Sequence, residues 1–186
     1  MRTVPKRRRG PETWIVVGAL IFAFGWAGLH ALSDWHFRRA IPAGVPIRHM
    51  IAHGGDNPLF SGCGVAVFWM TPGDSRRIAR EGIAALGPSL EARGYPPRDP
   101  RNAYRVPDGS RMDRDRVHHT YKGWRETPIP PEWTEGTWTQ MACSGSWRTG
   151  EFTRAAESEG SFYATSHAGW ILVLPRQHRV LLSYSD

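Results

Sequence analysis

Lysine is nearly missing from this chain: only two of its 24 basic residues are lysine, and the other 22 are arginine. That bias is read as the codon usage of a GC-rich bacterial genome rather than as chemistry. Cysteine is equally scarce. Cys63 and Cys143 stand alone, so neither a Cys-x-x-Cys redox pair nor a zinc ribbon built from two such pairs is available. The chain also lacks a phosphate-cradling Gly-rich loop, a calcium loop, a His-Glu-x-x-His helix and a Gly-x-Ser-x-Gly elbow, which removes the signatures of the common nucleotide, EF-hand, zincin and serine-hydrolase sites. No internal repeat is present, so a solenoid or propeller is not expected.

What remains for chemistry is thin. His49 and His53 have four-residue spacing, but Met50, Ile51 and Ala52 fill the interval, and Pro46 with Gly54 restricts any helix there. His118 and His119 would join them only if a long insertion folded back. The expectation is histidines that are solvated or hydrogen-bonded locally, with no metal and no cofactor. Cys63, between two glycines, is the best enzymatic alternative: a thiolate served by His53 or His167. A disulfide to Cys143 would forbid that chemistry. Nine tryptophans are a high count, and we expect most of them to fill the core, with their N–H groups satisfied.

The dominant feature is residues 14–33, WIVVGALIFAFGWAGLHALS, twenty residues with no Asp, Glu, Lys or Arg. As a helix this stretch is ~30 Å long, the thickness of a bilayer's hydrocarbon core. Nine of its residues are Leu, Ile, Val or Phe, each favouring insertion by about 0.3–0.6 kcal/mol. Residues 1–13 precede it as a tail with five basic residues, Arg2, Lys6, Arg7, Arg8 and Arg9, against Glu12. Residues 34–48 hold three, Arg38, Arg39 and Arg48, against Asp34. Positive charge is retained on the cytoplasmic side, so the expected topology has the N-terminus inside a bacterial inner membrane and the remainder periplasmic or extracellular. A cleaved signal peptide is the rival, with a cut near Ala31, but its apolar region is usually about 7–15 residues and ends in Ala-x-Ala, which is missing here.

Several residues follow from that topology. Ala19, Ala23, Ala27 and Ala31 recur every four positions, a spacing that lets a second helix approach closely. Lys6, Arg7, Arg8, Arg9, Trp35, Arg38 and Arg39 suit the membrane surface, basic groups on phosphate and an indole at head-group depth. The bilayer is the expected partner, together with a protein of the envelope or a second copy of the span. Nucleic acid is not expected: residues 34–186 hold 19 bases against 16 acids, with no basic stripe interleaved with aromatics. In an oxidising compartment Cys63 and Cys143 are expected to pair, and closing that loop stabilises by roughly 4.5 kcal/mol in the chain-entropy account.

The rest reads as one α+β domain, residues 62–186, after a spacer over 34–61 in which residues 45–51 can form an edge strand. Residues 62–70 (GCGVAVFWM) read as a buried strand. Thr71, Pro72 and Asp74 then start a helix expected to run to Arg93, kinked at Gly87-Pro88 and stopped by Gly94. Residues 95–136 hold seven prolines and read as an ordered insertion, the first candidate for a partner surface. Strands follow at 137–144, 160–167, 170–174 and 179–184, the last two as a hairpin across PRQH. About five antiparallel strands with one main helix packed on them satisfy this order. The plan resembles that of cystatin-like folds as architecture, although no motif identifies a family. The function expected is a membrane-anchored, non-enzymatic binding or envelope-assembly module.

Overall fold

Helix α1 runs over Pro11–Arg39, 29 residues. The computed structural model describes residues 11–55, 62–88, 92–94, 103–105, 111–113, 120–131, 149–166 and 169–185. The chain divides into two units, Met1–Trp35 and His36–Asp186. Within α1 the segment from Trp14 is long and apolar enough to cross a membrane, with mean hydropathy 2.0 and none of that window buried in protein. The helix passes the expected limit at residue 33 because 34–39 (DWHFRR) contain neither Gly nor Pro, and the first breaker is Pro42. Residues 34–39 are therefore helix, not spacer.

The second unit holds, in chain order, β1 (Met50–Gly55), β2 (Cys63–Trp69), α2 (Pro72–Glu81), a 3-10 turn (Gly82–Leu86), β3 (Ala103–Arg105), β4 (Arg111–Asp113) and β5 (Arg125–Glu126). After these come α3 (Thr149–Glu157), β6 (Phe162–Thr165), β7 (Gly169–Leu174), a second 3-10 turn (Pro175–Gln177) and β8 (Arg179–Ser185). Six strands form one antiparallel sheet in the order β1-β2-β8-β7-β6-β5, and β3 with β4 makes a separate hairpin. The expected five strands are thus six. One of them, β5, comes from the Pro-rich insertion, where Tyr121, Trp124 and Ile129 are buried.

Period-2 alternation sorts the strand residues onto two faces. Ala66, Phe68, Phe162, Ala164, Ile171, Val173, Val180 and Leu182 join one core with Ile78 of α2, Leu86 and the segment following α1. Val65, Val67, Tyr163, Trp170, Leu172, Leu174 and Leu181 join a second core with Phe152 and Ala156 of α3. Cover on both faces explains the uninterrupted apolar run of β7, every residue of which is buried.

Four expectations are corrected. The helix after β2 stops at Glu81 rather than Arg93, because Gly82 takes φ +62°, outside the helical basin, and a 3-10 turn follows. Its start is as read: Thr71 Oγ1 accepts from the Asp74 N–H at 3.1 Å and donates to Asp74 Oδ2 at 2.6 Å. Gly94 does not end a helix. The edge strand lies at Met50–Gly55 rather than 45–51, and its pairing shifts register between Met50 and Ala52, a bulge. Finally, the sequence reading has no counterpart of α3. The strand expected over 137–144 lies outside the described residues.

Because α3 supplies the cover of one face, Phe152→Ala is expected to lower stability by about 3–5 kcal/mol. Glu157→Ala, exposed on the same helix, should stay within about 0.5 kcal/mol of wild type. Urea unfolding followed by tryptophan fluorescence compares the two.

Candidate functional site

Pro42, Gly44 and Pro46 prevent α1 from continuing, and the chain turns through residues 40–49 towards β1. This elbow is pinned from inside: Ile41, Val45 and Ile47 are buried, as is Phe37 in the last turn of α1. It is also clamped from outside by residues 92–94. The Arg93 N–H donates to the Ile41 carbonyl at 3.1 Å and the Gly94 N–H to that of Arg39 at 3.0 Å, flanking a bridge between Pro42 and Ala92.

Arginine side chains complete the clamp. Arg39 donates from Nε and Nη2 to the Gly94 carbonyl at 3.2 and 2.5 Å. Arg93 Nη2 donates to the Ala43 carbonyl at 3.2 Å and also to that of Val45. Arg38 Nη2 donates to the Arg48 carbonyl. Burial against the elbow, and then the charge of Arg38, hold the Arg93 guanidinium below the usual arginine range. Cationic groups are thus gathered where the fold begins.

Beside the clamp is an aromatic group. His53 Nε2 and the Tyr184 hydroxyl are 2.8 Å apart. The Phe37 ring lies 4.7 Å from the His53 ring and 4.9 Å from that of Tyr184, centroid to centroid. The Tyr184 ring crosses Gly64 so closely that a Cβ there would come 2.5 Å from both its hydroxyl and the Gly54 carbonyl. Only glycine allows that approach. His49 meets a different ring, that of Trp69, at 5.6 Å. Among the described residues no three His, Cys, Asp or Glu side chains form a metal-binding set. His118, His119 and His167 lie outside them.

The other sequence candidates distribute as follows. Ala19, Ala23, Ala27 and Ala31 are exposed on α1, Trp35 is exposed, and Arg38 and Arg39 occupy its final turn. Lys6, Arg7, Arg8, Arg9 and Cys143 lie outside the described residues, while Cys63 opens β2 and no described cysteine is free. Arg48, Arg93 and the His53–Tyr184 contact were not among the candidates. Arg93 lies more than 40 residues from its partners, and no local pattern marks it. A second feature, a cavity of about 300 Å³, is bounded by α3 and the β7–β8 turn, with Arg154, Ser158, Ser161, Arg176 and Gln177 in its wall.

Comparison of the chain with protein-family models, curated proteins and solved structures found no match.

The His53–Tyr184 hydrogen bond is expected to contribute about 0.5–1.5 kcal/mol. A double-mutant cycle of His53→Ala and Tyr184→Phe, read by denaturant unfolding, should return a coupling of that size. Strict additivity of the two changes would show that the contact contributes nothing to the fold.

Proposed function

We propose that the chain is a single-pass protein of a bacterial inner membrane, with its basic N-terminus in the cytoplasm and its α+β unit on the periplasmic or extracellular side. The observation that carries this reading is the set of exposed apolar side chains on α1. Trp14, Ile15, Ile21, Phe22, Phe24 and Trp26 are each more than 60 % exposed, whereas among the described residues of the second unit the large apolar side chains are mostly buried, with Ile51 and Ile83 exposed by less than 40 %. Apolar surface of this extent without protein cover is accounted for by lipid. The tail's positive charge supports the orientation. Lys6, Arg7, Arg8 and Arg9 then face anionic head groups inside, and Trp35, Arg38 and Arg39 meet those outside.

The α+β unit is proposed to act by binding, as a tethered module of envelope assembly, rather than by catalysis. What supports this is the use of the conspicuous polar residues: His53 and Tyr184 are hydrogen-bonded to each other between β1 and β8, and Arg39 and Arg93 donate to main-chain carbonyls at the elbow and its clamp. The insertion over 95–136 offers a surface for a protein partner. Self-association through Ala19, Ala23, Ala27 and Ala31 is the second contact proposed, since helices approach closely at such positions. In the same compartment Cys63 and Cys143 are proposed to form a disulfide.

Membranes washed in alkaline carbonate should retain the full-length protein, and a phosphatase reporter fused after Asp186 should be active only outside the cytoplasm. Intact mass should match the uncleaved chain, with both thiols resistant to alkylation until reductant is added. Release of a fragment starting near residue 32 would replace this reading with that of a secreted domain.

A further inference from the structure

The cavity of about 300 Å³ between α3 and the β7–β8 turn takes no part in the contacts assigned so far. One side of it is the turn of residues 158–161 that follows α3, and Thr127 fastens that turn. The Thr127 hydroxyl donates to the Ser158 carbonyl at 2.5 Å and accepts from the Ser161 N–H at 3.1 Å. The Thr127 N–H donates to the Ser161 carbonyl at 3.0 Å. Within the turn Gly160 has φ +94°, and the Arg176 guanidinium lies over it. A Cβ at Gly160 would come 3.3, 3.4 and 3.5 Å from Nη2, Cζ and Nε. Distances so nearly equal mean that the planar group meets the glycine with its face, which leaves its N–H edges for other partners.

Among the described residues the Arg176 side chain makes no hydrogen bond or ion pair, and neither does that of Glu159, which lines the same cavity. Arg154, the other arginine of the wall, has further contacts of its own. Ala155 and Leu174 add an apolar part. A carboxylate and a guanidinium that border one cavity without bonding each other are both satisfied by a molecule carrying both charges. Its carboxylate matches the planar fork, and its ammonium takes charge-assisted bonds to the acid. A simple anion meets repulsion from Glu159, and a simple amine meets it from Arg176. The volume is at the lower end for small-molecule sites.

We propose that this cavity binds a free α-amino acid, with its carboxylate on Arg176, its ammonium on Glu159 and its side chain towards Ala155 and Leu174. The site lies wholly within the second unit. It goes beyond the reading of the chain as an anchored module and depends neither on the span nor on the insertion over 95–136.

The test is a saturation-transfer NMR titration of the full chain in a non-ionic detergent, with each common α-amino acid in turn as the probe. At least one should bind. Its N-acetyl derivative, which lacks the ammonium, and its α-amide, which lacks the carboxylate, should each bind roughly tenfold more weakly or worse, the effect of losing a charge-assisted bond. Arg176→Gln and Glu159→Gln should each weaken binding of the parent amino acid to the same degree. Both residues are exposed, so their urea midpoints should match wild type, and Arg77→Gln on α2 should leave binding unchanged. Absence of binding by every amino acid overturns the proposal. Equal binding of the N-acetyl form reduces the site to one for anions, equal binding of the amide reduces it to one for amines, and either result overturns it. Binding that survives both Arg176→Gln and Glu159→Gln lies elsewhere on the chain and overturns it as well.

Discussion

β8 lies between β2 and β7 and pairs with both along its length, from Cys63↔Ser185 to Trp69↔Arg179 on one side and from Gly169↔Tyr184 to Leu174↔Arg179 on the other. The two parts of the sheet, β1–β2 and β7–β6–β5, meet only through this strand. It also divides its side chains between the two cores, Val180 and Leu182 to one and Leu181 to the other. Tyr184, near its end, supplies the hydroxyl that meets His53 on β1. Sheet continuity, the burial of both faces and the placement of the aromatic group at the elbow therefore share one dependence.

The elbow is the second joint. Its internal side is hydrophobic burial of Phe37, Ile41, Val45 and Ile47, and its external side is a set of bonds from arginine to main-chain carbonyls. Two of them, from Arg93 to the Ala43 and Val45 carbonyls, answer a need set by the sequence. A stretch with two prolines and a glycine in five residues, Pro42 to Pro46, cannot satisfy its own carbonyls by helix or ladder, and buried carbonyls need donors. Arginine supplies them from a distance. Residues 36–39 belong by their packing to the folded unit although they are helical in continuity with the apolar segment.

What the sequence discloses and what it hides follow from the range of the interactions. The apolar run of α1, the buried strand at Cys63–Trp69 and the hairpin of β7 and β8 are written in consecutive residues, where periodicity and composition act locally. The Thr71–Pro72–Asp74 start of α2 is local too. The early stop at Gly82 was open to reading, since a glycine in a helical pattern is a weak point, but Gly87-Pro88 was the stronger signal and drew the expectation onward. α3 carried a legible mark, Phe152 and Ala156 four residues apart, in a stretch whose flanking strands suggested more strand. Of the candidate site, Arg38 and Arg39 were visible through their position after the span. His53 is marked by the sequence as a base for Cys63 or a neighbour of His49, but not as the partner of Tyr184, and Arg93 is not marked at all. Those associations are made by sheet register and by the bonds of residues 92–94 to the elbow, and no spacing records them.

The position of β8 has a consequence for biosynthesis. β2 is complete at Trp69, but the strand that fills its inner edge begins at Arg179, 110 residues later. At ordinary synthesis rates this is a wait of roughly 5–20 s. Until then the edge of β2 opposite β1, with Val65, Val67 and Phe68, lacks the neighbour it has in the finished sheet. Completion of the six-stranded sheet therefore waits on one late event, the arrival of the strand that welds its two parts into one.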